Sequence, residues 1–102
     1  MNIQSKIIEG VLHISFDGEL DECSASFTRS YLDDAIMSFG YNDVVLDMSN
    51  LEFMDSTGIG VLLGRYKNLR NKNKRVFISN PNCTLEKILK MSGIYEIMPK
   101  IS

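Results

Sequence analysis

The chain has 102 residues, 44% of them hydrophobic and 24% charged, with a formal net charge of −2. That length suits one domain spanning 1–102, and the composition excludes wholesale disorder. The mild acidity, pI 5.3, argues against a direct grip on nucleic acid or anionic lipid, though a local basic patch stays open.

In chain order, Ile3 to Ile8 and Val11 to Phe16 flank Glu9-Gly10, an X-Gly turn. Leu12, Ile14 and Phe16 alternate with Val11, His13 and Ser15, so the pattern predicts a β-hairpin. Beyond Gly18-Glu19-Leu20-Asp21 the period lengthens. Phe27, Tyr31, Leu32, Ala35, Ile36 and Phe39 form one helical stripe, with Gly40 placed as its C′ residue. Asp21, Ser24 and Ser26 all qualify as its cap. Val44-Val45-Leu46-Asp47-Met48 reads as a short strand buried on both faces. Ile59, Leu62, Leu63, Tyr66 and Leu69 mark a second helix, with basic residues gathered toward its C-terminal end. Val76 to Ser79 is a third β-rich run, counting the hairpin as the first. A helix over roughly Thr84 to Met91 follows, ended by Gly93, and Ile94 to Met98 suggests a short last strand. The order β-β-α-β-α-β-α predicts a single small α/β domain, a mixed sheet with helices mainly on one face.

No apolar run is long enough to span a bilayer, and MNIQSKIIEG lacks a secretory h-region, so a cytoplasmic protein without membrane contact is expected. Cys23 and Cys83 have no CxxC spacing and read as packing or surface residues. The chemically richest stretch is Phe53-Met54-Asp55-Ser56-Thr57-Gly58-Ile59-Gly60. Gly58, Gly60 and Gly64 are one residue too far apart for a dinucleotide loop, and no P-loop pattern occurs. Catalysis by Ser56 needs a base, and the sole histidine, His13, falls on a predicted strand. One histidine and two isolated cysteines make a poor metal set. These patterns point to no catalytic residue, cofactor or metal, and hence to no enzyme. A helix start capped by Asp55, Ser56 or Thr57 accounts for these polar residues. It does not explain two glycines in the first turn, each costing roughly 1 kcal/mol relative to alanine. Small residues beside exposed hydroxyls suit a surface that another backbone approaches closely.

The run Phe53 to Tyr66 resembles the signature of the STAS-domain anti-sigma factor antagonists, and the sporulation type, the anti-sigma F factor antagonists, in particular. Gly18-Glu19-Leu20-Asp21 and Met91-Ser92-Gly93 are similar to two further stretches of that family, so the likeness covers nearly the whole chain. The family usually continues into a further C-terminal helix beyond the point where these 102 residues stop. The resemblance implies a phosphorylation-controlled partner switch that serves sporulation transcription. The unphosphorylated form binds an anti-sigma factor that is a serine kinase of the GHKL type, which frees the sigma factor. Phosphorylation on Ser56 releases the complex, and a PP2C-type phosphatase restores it. The implied partner surface comprises Asp21, Asp55, Ser56, Thr57, Gly58 and Gly60, on a protein that is monomeric when free. Other readings of the same motif are a general-stress antagonist, a STAS scaffold and a lipid-transport module.

Overall fold

The structure is a computed structural model that describes residues 1–102. Strands β1 (Asn2–Ile8) and β2 (Val11–Leu20) form the hairpin. Helix α1 (Ala25–Ile36), strand β3 (Asp43–Met54), helix α2 (Ser56–Asn71), strand β4 (Arg75–Ser79) and helix α3 (Cys83–Ser92) follow. The strands lie in the order β1-β2-β3-β4. The first pair is antiparallel and the other two are parallel. At the hairpin, Glu9 (φ 50°) and Gly10 (φ 79°) both take the left-handed conformation that a two-residue turn of this kind requires.

Packing follows the period of two along the strands. Leu12, Ile14 and Phe16 of β2, Val44, Leu46 and Met48 of β3, and Val76 and Ile78 of β4 are buried. They join Leu32 and Ile36 of α1, Leu62 and Leu69 of α2, and Leu85 and Leu89 of α3 in one apolar cluster. The helices gather on that face. The other face carries His13, Ser15, Val45 and Asp47, all half-buried. The expectation that Val44–Met48 is buried on both faces is therefore corrected: no helix layer covers Val45 and Asp47.

Three other expectations change. On α1 the inward stripe is Ala25, Thr28, Leu32, Ala35 and Ile36. Phe27 is 54% exposed and Phe39 is 94% exposed. Small residues at 25, 28 and 35 let the helix lie close to the sheet, and the two bulky rings fall outside the stripe. Gly40 is not the C′ residue, because the helix closes at Met37; Gly40 lies in the following loop with φ 91°. The segment after Gly93 is a 3-10 helix over Ile94–Glu96, not a strand. Pairing comes later, where Ile78 N–H donates to Pro99 C=O and Ile101 N–H donates to Ile78 C=O, each at 2.9 Å.

Strand β3 also runs six residues past Met48, to Met54. Asp47, Ser49, Asn50 and Glu52 are weak strand formers, but the extended end of β2 pairs along this stretch, Asp17 opposite Asn50, Gly18 opposite Leu51 and Leu20 opposite Met54. Replacing Leu46, which is buried, by alanine is expected to cost about 2–5 kcal/mol in urea unfolding. Phe39→Ser should leave the midpoint nearly unmoved, since little of that ring is removed from water.

Candidate functional site

The extended pairing of β2 and β3 brings Leu20 beside Met54, and each strand then hands over to a helix at the same end of the sheet. The connection is tied by one side chain. Asp55 holds an extended backbone (φ −103°, ψ −172°) as the N-cap of α2. Its Oδ1 accepts from Gly58 N–H at 3.0 Å, and its Oδ2 accepts from Glu22 N–H at 3.3 Å. Its own N–H donates to Leu20 C=O at 3.3 Å. Of the three residues able to cap this helix, Asp55 takes the position, and it also fastens the start of α2 to the loop before α1.

Asp21 serves that loop in the same way. Its Oδ1 accepts from Ser24 N–H at 3.1 Å, while Ser24 Oγ accepts from Asp21 N–H at 3.1 Å and donates to Glu19 C=O at 2.7 Å. Ser24 is the N-cap residue of α1, but its hydroxyl turns back into the loop instead of forward to the helix. Of the three cap candidates, Ser24 takes the position, and Asp21 braces it from behind.

Ser56 is the first residue of α2 and is exposed. Its hydroxyl makes no hydrogen bond within the protein, and the N–H groups of Ser56 and Thr57 find no acceptor there. Thr57 is half-buried. Two free donors at the positive end of a 16-residue helix favour a negative group at this place. The hydroxyl, the free donors and the Asp55 carboxylate therefore meet at one exposed corner.

The two glycines of the first turn differ. Gly58 is buried, and a Cβ there would lie 2.5 Å from Leu20 O and 2.5 Å from Met54 Cγ. Its lack of a side chain lets the helix start rest on the end of β2. Gly60 is exposed, and nothing lies within 4 Å of where its Cβ would be. Of the two, Gly60 faces solvent, and Gly58 is occupied by contacts inside the domain. Met54 is buried as well, at 1% exposure, whereas Phe53 is 40% exposed. The side chain beside the motif that is free to meet another molecule is Phe53, not Met54. Only the register of β3 decides which of the two points outward, so the parts played by Phe53, Glu22 and Leu20 carry no local signal in the sequence.

His13 lies in the middle of β2, paired with Lys6 and Val45 on neighbouring strands. Seven residues of strand separate it from Leu20, roughly 20 Å, so it does not approach Ser56. Cys23 and Cys83 are both free and exposed.

Residues 2–102 match the family model of the STAS domain. The chain belongs to the STAS domain family. An anti-sigma F factor antagonist of Paenibacillus polymyxa is 39% identical to this STAS protein over 101 residues, covering 97% of this chain and 86% of the relative. The anti-sigma factor antagonist SpoIIAA in its unphosphorylated form superposes with a TM-score of 0.81 at 27% identity, over 99% of this chain and 89% of that one. The phosphorylated form of the Bacillus cell fate determinant SpoIIAA superposes with a TM-score of 0.72 at 27% identity, over 99% and 92%. The α/β architecture and its order β-β-α-β-α-β-α match this fold.

The crowding at Gly58 makes a direct test possible. Gly58→Ala should destabilise the STAS domain by about 1–3 kcal/mol in chemical unfolding through overpacking. Gly60→Ala should be neutral or gain up to about 1 kcal/mol from helix propensity. Equal stability of the two variants would show that α2 does not rest on Leu20 as described.

Proposed function

We propose that this STAS protein is an anti-sigma factor antagonist worked by phosphorylation of Ser56, a binding regulator and not an enzyme. The observation that carries the reading is the exposed, unbonded Ser56 hydroxyl beside two free N–H groups, in a chain 39% identical to an anti-sigma F factor antagonist. In this reading the unphosphorylated corner of Asp21, Asp55, Ser56, Thr57 and Gly60 docks onto an anti-sigma factor that is also a GHKL-type serine kinase. Gly58 supports that surface from beneath. Docking frees the sigma factor for sporulation transcription in the cytoplasm, and a PP2C-type phosphatase resets the switch.

The chemistry needs little from the domain itself. Ser56 Oγ attacks the terminal phosphorus of ATP held by the kinase, ADP departs, and a base of the kinase takes the hydroxyl proton. The product adds about −1.5 to −2 charges at neutral pH. Within the domain that charge sits at the positive end of α2, where free donors and the helix dipole offset the nearby Asp55 carboxylate. Against a docked partner the same charge loses its water and its complementarity, a cost of several kcal/mol. One modification then separates the proteins and leaves the fold intact.

Incubation with the cognate kinase and ATP should label the wild type and leave Ser56→Ala unlabelled; label on the alanine variant would refute Ser56 as the acceptor. Phosphorylated protein should keep the far-ultraviolet circular dichroism of the unmodified form while its affinity for the kinase falls roughly a hundredfold or more. A phosphoprotein that binds as well as the unmodified form would remove the switch.

A further inference from the structure

At the far end of α2 from Ser56, the helix, the first residues of β4 and the C-terminal segment enclose an open cleft of about 340 Å³. Tyr66 of α2, Phe77 of β4, and Ile97 and Pro99 of the C-terminal segment give it an apolar, partly aromatic lining. Arg70, Lys74 and Arg75 add cations to it, and no carboxylate lines it. The cations belong to a run from Arg65 to Arg75 that contains no Asp or Glu, although the whole chain carries a net charge of −2. The slight overall acidity hides a strongly basic edge.

The partners these cations already have leave the cleft positive. Arg75 donates to Asp43 from Nε at 2.9 Å and from Nη2 at 3.0 Å. Lys74 Nζ donates to Tyr41 C=O at 2.6 Å and lies 4.6 Å from the centroid of that ring. Arg65 is held by Asp33 at 3.0 Å and takes no part. Arg70 is exposed in the last turn of α2 and has no carboxylate partner. A single carboxylate, Asp43, therefore offsets the three cations. The carbonyls at the end of the helix are not bare: Leu69 C=O accepts from Lys72 and Lys74 N–H, and Arg70 C=O accepts from Asn73 N–H. What the cleft presents to an incoming anion is guanidinium and ammonium, not the negative end of the helix dipole.

We propose that this cleft docks an acidic segment of a second protein, one that carries apolar or aromatic side chains among its carboxylates. The carboxylates meet Arg70 and the free donors of Lys74 and Arg75, and the apolar side chains fill the recess over Tyr66, Phe77 and Ile97. A recess lined by rings takes a side chain, and a flat anionic bilayer offers none to fill it. Ser56 and Arg70 are separated by about 21 Å along α2, well beyond the roughly 8 Å over which charges act at physiological ionic strength. The second docking surface is thus indifferent to a phosphate on Ser56, and the domain stays tethered while the corner at Ser56 engages and releases.

The test titrates the isotope-labelled full chain with a synthetic peptide that alternates glutamate with leucine and phenylalanine, followed by amide chemical shifts. Shifts are expected at Tyr66, Arg70 and Phe77 and not at Ser56 to Gly60, with the same affinity in a Ser56→Asp variant. The double variant Arg70→Glu, Lys74→Glu should bind about tenfold or more weakly, whereas Arg70→Lys should bind as the wild type does. Lys74 also holds Tyr41, so Arg70→Glu alone, at an exposed position, is the variant that separates lost binding from lost folding. Absence of binding, shifts centred on the start of α2, or unchanged affinity in Arg70→Glu would each overturn the proposal. So would sedimentation with phosphatidylserine vesicles by a protein that ignores the peptide.

Discussion

Leu20 accepts the Asp55 N–H at 3.3 Å, and the same carbonyl would lie 2.5 Å from any Cβ on Gly58. That contact between the end of one strand and the first turn of a helix sets the position of everything chemically interesting in the domain. It exists because β2 and β3 stay paired to their last residues, past the irregularities between Ser15 and Asp17 and between Gly18 and Glu19. With the two strand ends side by side, both helices start at one corner, and Asp55 reaches from the start of α2 to the Glu22 N–H. Short side chains hold the corner to the main chain: Asp55 accepts from Gly58 and Glu22 N–H, and Asp21 accepts from Ser24 N–H.

The same arrangement divides the labour within the motif. Gly58, Met54 and one oxygen of Asp55 face inward and build the corner; Ser56, Gly60 and Phe53 face outward and are free to meet another molecule. Burial removes Gly58 from direct contact with a partner, but any partner meets a surface whose shape Gly58 permits. The neighbouring Asp21 has a similar double standing, since its carboxylate braces Ser24 while the residue stays half-exposed.

Much of this was legible in the sequence. The hairpin turn at Glu9-Gly10, the three helices and a capped start to α2 follow from local chemistry: turn residues, a 3.6-residue period and a run of cap-forming residues, among which the structure selects Asp55. Where reading failed, tertiary contacts had overridden a local pattern. Phe27 and Phe39 look like core residues by type, but small residues at 25, 28 and 35 set the face that α1 turns to the sheet. The far half of β3 opens on Ser49 and Asn50, which favour turns, and is held as a strand by its pairing with β2. The 3-10 turn at Ile94–Glu96 replaces an expected strand because Gly93, with φ 77°, reverses the chain before pairing can begin. Whether Met54 or Phe53 points outward depends on strand register, which one sequence does not encode locally. The roles of the two glycines differ for the same reason: one sits over Leu20 and the other over nothing.

The last residues have a consequence of their own. Pro99, Ile101 and Ser102 exchange hydrogen bonds with Ile78 and Asn80, so the β4 side of the sheet is already partly occupied. Without them β4 would offer unpaired main-chain groups next to Val76, Phe77 and Ile78, a short apolar segment of the sort that recruits copies of itself into aggregates. The opposite edge, β1, has Lys6 near its centre, and a charge there discourages the addition of another strand. The two margins of the sheet are thus guarded by different means, a charge on one and a few residues of the chain's own tail on the other. The β4 edge is therefore shielded by a segment that makes no hydrogen bond to the corner at Ser56.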